Sequence, residues 1–161
     1  ITHIIKNGEQ FAKRNFDAAF INEHSIGESE HGEARRIFGK HIKIDLTKLD
    51  PEKAKNVGGV GMLQKGRKGI IKPNIKNKIL QSLSKQGRFN LYGLRLGNNR
   101  VALVYLVYGH TGGEQCAEAR TRTDEIMSAI LQDMDKQDPG QKYLIGDINA
   151  NVHDLPSSGS H

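Results

Sequence analysis

The stretch Tyr143-Leu144-Ile145-Gly146-Asp147-Ile148-Asn149-Ala150 decides how this chain is read. Tyr143 to Ile145 are three successive apolar residues, which predicts a short buried strand. Gly146 then frees the backbone, and Asp147 and Asn149 follow with one residue between them. Side chains alternate along a strand, so residues two apart point the same way. A carboxylate and a carboxamide therefore share one face at a strand's carboxyl end. The carboxylate can hold a cation or orient a water. The carboxamide can donate to a phosphate oxygen while its carbonyl accepts from a neighbour. The same letters also suit a plain Asp-x-Asn turn, because Asp and Asn hydrogen-bond their own backbone there.

The elements before this stretch weigh on that choice. Glu114 to Lys136 reads as the longest helix, with Cys116, Ala119, Thr123, Ile126, Met127, Ile130 and Met134 as one apolar stripe. Asp138-Pro139-Gly140 stops it. Upstream, Phe89 to Leu96 and Arg100 to Tyr108 are a clear pair of strands around Gly97-Asn98-Asn99, residues that tolerate positive φ. The second of them is almost continuously apolar and should be central. A strand, a helix and a strand in succession imply a right-handed crossover, with Tyr108 and Asp147 at the same edge.

Nearer the start, residues 3–14 have near-helical apolar spacing, weakened by Gly8. Asp17 to Asn22 reads as a buried strand, with Glu23 and His24 at its carboxyl edge, where ligands gather in open α/β sheets. Glu23 there is a site candidate as well as an ordinary loop-entrance residue, and His24 reads as a loop histidine. Glu28 to Phe38 suggests a short surface helix. His41 to Leu46 alternates as a half-exposed strand does, and Thr47 to Asn56 is a charged loop. Val57 to Gln64 is a glycine-rich strand. It is not a phosphate loop, since Arg67 rather than Lys follows Gly66, nor a dinucleotide fingerprint, since Gln64 stands in the last Gly position. Glycine within a strand marks close backbone approach or a bulge. Residues 79–87 fit either a short strand or a turn of helix.

Composition bounds the rest. With 161 residues, one domain with a real core is expected. Lys and Arg number 24 against 18 Asp and Glu, a net charge of +6 that suits a polyanionic partner as well as simple solubility. Lys65, Arg67, Lys68, Lys72, Lys76 and Lys78 form an acid-free run able to track a phosphate backbone or to lie as a solvated face. The lone Cys116 excludes an intrachain disulfide framework and fits an intracellular, reducing compartment. No apolar run approaches the ~20 residues of a bilayer span, so no membrane partner is expected. The polar start carries no signal peptide, and the absence of an initiator Met suggests a piece of a longer protein. The end, 156–161, reads as a flexible tail.

Four motifs now stand in order: Asn22-Glu23, Gly58-Gly59-Val60-Gly61, Tyr108-Gly109, and Gly146-Asp147-Ile148-Asn149. Their order and spacing resemble the endonuclease/exonuclease/phosphatase superfamily, the DNase I-like fold. Ala119-Arg120-Thr121-Arg122-Thr123-Asp124-Glu125 is also similar to family members. The Tyr108-Gly109-His110-Thr111-Gly112-Gly113 wording is closest to retroelement-type endonucleases.

The resemblance implies an α/β sandwich of which residues 1–155 would be about the first half, supplying roughly one sheet and its helices and leaving an inner face uncovered. It implies Mg²⁺-dependent phosphodiester hydrolysis of nucleic acid, with DNA as the expected substrate, in an intracellular and for DNA a nuclear setting, with Mn²⁺ as the alternative metal. Glu23 would be the metal ligand, Asp147 the water-orienting residue, Asn149 a phosphate donor and Tyr108 a second phosphate contact. The family's opening Asn and terminal Ser-Asp-His are absent, and His153-Asp154 comes too soon after Asp147 to replace them. Little activity of the isolated chain is therefore expected. A non-catalytic basic nucleic-acid-binding module and a phosphatase for a small phosphorylated substrate are the competing expectations.

Overall fold

The computed structural model describes residues 7–39, 41–50, 58–110 and 116–148. Its elements are α1 (Gly8–Ala12), β1 (Ala18–Asn22), a 3₁₀ turn (Glu28–Glu30), α2 (His31–Phe38), β2 (Ile42–Leu46) and β3 (Val60–Lys65). They are followed by α3 (Lys78–Lys85), β4 (Phe89–Arg95), β5 (Val101–Tyr108), α4 (Ala117–Lys136) and β6 (Lys142–Asp147). Local chemistry sets the boundaries. Asn77 caps α3 by accepting from the Ile79 and Leu80 amides at 2.9 and 3.3 Å, which resolves 79–87 as helix rather than strand. Asn98 and Asn99 both have positive φ, 59° and 58°, and together they make the primed hairpin turn that matches the twist of β4 and β5.

The strands form two three-stranded sheets. One has the order β1-β3-β2, antiparallel throughout. The other has the order β4-β5-β6, with β4 antiparallel and β6 parallel to β5, so that Tyr108 pairs with Asp147. Alternation along each strand sorts the core into layers. Phe20, Val60 and Met62 from the first sheet meet Tyr92, Val104, Leu106 and Tyr108 from the second. The opposite face of the second sheet, including Leu91, Tyr105 and Val107, packs on Leu80 and Leu83 of α3 and Ile126 and Ile130 of α4. The outer face of the first sheet, including Ile21, Ile42 and Leu63, is covered by Phe38 and its neighbours from the α1–α2 side. The result is a mixed α/β arrangement of two sheets between two helical layers.

Two expectations change. The chain supplies two sheets rather than about one, because β1 and β2 both pair with β3 and leave β4, β5 and β6 to form their own ladder. Tyr143, Leu144 and Ile145 are also not buried: they are 42, 38 and 37% exposed. They lie on β6, which among the described residues pairs with β5 on one side only, and the first sheet covers β5 more fully than β6. Apolar identity made these residues a strand, but burial depends on what lies over them. The helix expected over 3–14 is described only as Gly8–Ala12, and α4 begins at Ala117 rather than Glu114, residues 1–6 and 111–115 lying outside the described set. Among the described residues no helix is long and apolar enough to cross a membrane.

Candidate active site

The carboxyl ends of β1, β5 and β6 meet at one corner between the two sheets. The register of β5 and β6 puts Tyr108 and Asp147 side by side. Tyr108 belongs to the inter-sheet core, so its parallel partner Asp147 shares the inner face. From the other sheet, Glu23 follows the last residue of β1 and its carboxylate hydrogen-bonds the Tyr108 side chain. Three of the expected site residues are thus brought together, from two sheets rather than along one edge of one sheet. Asn149 lies outside the described residues, as do His153 and Asp154.

Glycine and backbone strain shape this corner. Glu23 and Ser25 have φ of 54° and 50°, a conformation few non-glycine residues adopt. They are held there by ladder-like bonds, His24 N–H to the Gly59 carbonyl at 3.2 Å and Ser25 N–H to the Gly58 carbonyl at 2.9 Å. Strain of this kind persists where the surroundings over-determine it, and it clusters at functional sites. Gly58 lies against the Tyr108 ring, and a Cβ on Gly59 would meet His24 Nε2 at 2.3 Å. The glycines of this segment therefore serve close backbone approach rather than phosphate wrapping.

Electrostatics follow from the burial. Tyr108 is only 5% exposed. Burial raises its hydroxyl pKa above the usual phenol value, and the Glu23 charge, the Glu23 hydrogen bond and the Asp147 charge add to this while Arg88 opposes it. Tyr108 is thus a firmly protonated donor at neutral pH. Arg88, 6% exposed, donates to the Gly109 carbonyl at 2.9 Å and lies 5.6 Å from the Tyr108 ring centroid. Its pKa is lowered, chiefly by burial, yet a guanidinium keeps its charge. Sequence reading missed Arg88, since one Arg between a Gly and a strand has no motif of its own.

Glu23 and Asp147 are exposed carboxylates acting on one hydroxyl, and Oδ1 of Asn22, the residue before Glu23, is buried without a hydrogen-bond partner. Such hard oxygen donors fit Mg²⁺, which is usually held by one or two carboxylates and completes its octahedron with water. Among the described residues no group of three or more His, Cys, Asp or Glu side chains could close a metal cage. The chain matches no protein-family model and no curated protein.

The cationic run extends from the end of β3 to the start of α3. β3 points Val60 toward the corner and Lys65 away from it, so Lys65, Arg67 and Lys68 lie toward the opposite end of the sheet. Lys65 is bonded to the Arg14 carbonyl and lies 4.6 Å from the Phe16 ring centroid. Lys72 pairs with Asp45 at 3.0 Å, while Arg67, Lys68 and Lys76 are exposed.

His24 provides a test of this packing. It is 1% exposed, and its Nδ1 accepts from the Ile26 amide at 3.0 Å. Burial, with His31 adding repulsion and the Thr47 backbone opposing, lowers its pKa to about 4. Between the ordinary value near 6.5 and about 4, the unfolded chain binds the proton that the folded chain refuses. The resulting stability is complete above that window and is lost as pH falls through it, by about 3 kcal/mol in all. Thermal melts from pH 7 to 4.5 should show this loss, and His24→Gln should flatten it.

Proposed function

We propose that this chain forms part of a Mg²⁺-dependent phosphodiesterase domain acting on nucleic acid, of the endonuclease/exonuclease/phosphatase kind. The observation that carries this reading is the convergence of Glu23, Tyr108 and Asp147 on one corner, in the chain order that the resemblance requires. The two-sheet arrangement flanked by helices is compatible with a DNase I-like sandwich. The excess of cations favours a polyanionic substrate, and retroelement-type endonucleases remain the nearest resemblance.

Glu23 would hold the ion, with Asp147 across the corner. When bound, Mg²⁺ polarises a phosphoryl oxygen and offsets the charge that develops on it. Asp147 accepts the proton of the attacking water as a general base. Tyr108, kept protonated, exchanges its bond to Glu23 for one to a phosphate oxygen. Arg88 positions Tyr108 by fixing the backbone at the end of β5. In this reading Asn149 donates its amide to the same phosphate.

Metal binding can be measured without turnover. Paramagnetic Mn²⁺ added to the 161-residue chain is expected to broaden the amide resonances around Glu23 and Asp147 first, with excess Mg²⁺ reversing the effect. Broadening confined to other carboxylates, such as Asp135 or Asp138, would remove the metal from the reading. Nucleic-acid binding without metal binding would instead mark a non-catalytic basic module.

A further inference from the structure

A second concavity lies beside the candidate active site, and the linear sequence gives no sign of it. It has a volume of about 720 Å³ and is lined from three directions. Lys48 follows β2, Lys72 sits on the segment before α3, and Lys85 occupies the last turn of α3. Ser84 and Asn90 contribute polar groups to the same lining, and among the described residues no carboxylate is part of it.

The acidic groups nearby are already engaged. Asp45 accepts from Tyr92 Oη at 3.0 Å, from Asn90 Nδ2 at 3.4 Å and from Lys72 Nζ at 3.0 Å. Glu28 pairs with Lys48 at 2.8 Å, both side chains being largely exposed. Such an exposed pair holds its partner weakly, so the Lys48 ammonium can turn to a stronger anion, while Lys72 stays anchored on the less exposed Asp45 at the cavity's edge. Lys85 has no carboxylate partner among the described residues.

The cavity adjoins the corner through residues that lack side chains. Gly87 has φ of +70°, and a Cβ on it would meet the Lys48 carbonyl at 2.5 Å and the Gly59 Cα at 3.4 Å. Gly59 in turn lies on His24, and Gly58 on the Tyr108 ring. Gly58, Gly59 and Gly87 are buried, so the cavity and the corner share backbone beneath the surface, and a bound strand would pass over it from one to the other.

We propose that the cavity bounded by Lys48, Lys72 and Lys85 is a phosphate subsite that holds a polynucleotide strand flanking the reacting phosphodiester. This rests on the nucleic-acid reading above, and it relocates the binding cations. Of the run 65–78 only Lys72 takes part, and Arg67 and Lys68 at the far end do not.

The test is fluorescence anisotropy of a labelled 20-base-pair duplex with the 161-residue chain, in EDTA, from 50 to 250 mM NaCl. The variant Lys48→Gln/Lys72→Gln/Lys85→Gln is expected to bind at least ~10-fold more weakly at 100 mM salt and to lose about 2–3 from the salt slope, since each duplex phosphate contact contributes about 0.9. Arg67→Gln/Lys68→Gln should change affinity less than about two-fold on the same grounds. Lys85→Gln, which loses no ion pair among the described residues, guards against misfolding and should alone lower the slope by about 1. Equal losses in the cavity and far-end variants, or an unchanged slope in Lys85→Gln, would overturn the subsite. So would duplex binding that is absent while pyrophosphate still shifts the Lys48 and Lys85 amide resonances, since that assigns the cavity to a small phosphate. Cavity-dependent duplex binding without Mn²⁺ broadening at Glu23 and Asp147 would leave the subsite standing and remove the proposed hydrolysis.

Discussion

Asp147→Ala is expected to lower Mg²⁺-dependent plasmid nicking by about 10²–10⁴-fold, the usual contribution of a positioned general base. The assay should use a polypeptide that carries this chain together with a downstream Ser-Asp-His element, because the resemblance assigns the second half of the acid–base machinery to that element. Asp147 pairs with Tyr108 in the β5–β6 ladder through its backbone, and its carboxylate acts on the Tyr108 hydroxyl. Truncation to Ala leaves that ladder intact, so folding should change little while the proton acceptor disappears. Tyr108→Phe provides the contrast: it removes one hydrogen bond and should cost less than Asp147→Ala. Nicking that survives in Asp147→Ala would show that another group takes the proton, and the proposed reaction would fall.

Gly146→Ala should unfold the same corner. Gly146 has φ of +155°, and a Cβ there would lie 1.9 Å from the Val107 carbonyl oxygen and 2.8 Å from its carbon. Val107 is the residue paired with Gly146 in the ladder, so the clash falls on backbone that cannot rotate away. The parallel pairing of β6 to β5 must open to admit the methyl group. A loss of more than about 4 kcal/mol is expected, placing this change in the exceptional tail of single substitutions. For a chain of this size that corresponds to a fall of roughly 10 °C or more in melting temperature. Gly140→Ala is the control, since its added Cβ finds nothing closer than the Asp138 carbonyl at 3.9 Å. Equal melting temperatures for the two variants would contradict the described ladder.

The cavity and the corner differ in how far the sequence announced them. Glu23, Tyr108 and Asp147 were legible because each closes an apolar run, and chain order together with a crossover brings such ends to one region. Lys48, Lys72 and Lys85 were not, because they lie on three elements whose spatial order no local pattern encodes. A run of cations in sequence, Lys65 to Lys78, looked continuous but turns out to reach from the far end of β3 to the base of α3. Arg88 and the bonds of Asp45 to Tyr92 and Asn90 were invisible for the same reason: the partners are 20 or more residues away.

By itself the sequence determined most strands and helices, the Asn98-Asn99 hairpin, the parallel β5–α4–β6 unit and the residues that stand at strand ends. These are local outcomes of alternation, helical spacing, turn chemistry and crossover handedness. Only the tertiary structure decided that the strands divide into two sheets, and that the site is assembled across both. It alone left Tyr143, Leu144 and Ile145 exposed and buried His24 against Gly59. The physical reason is that burial and charge pairing belong to whatever surface packs opposite a residue. That surface comes from distant chain, so neither the residue's own identity nor its neighbours in sequence can specify it.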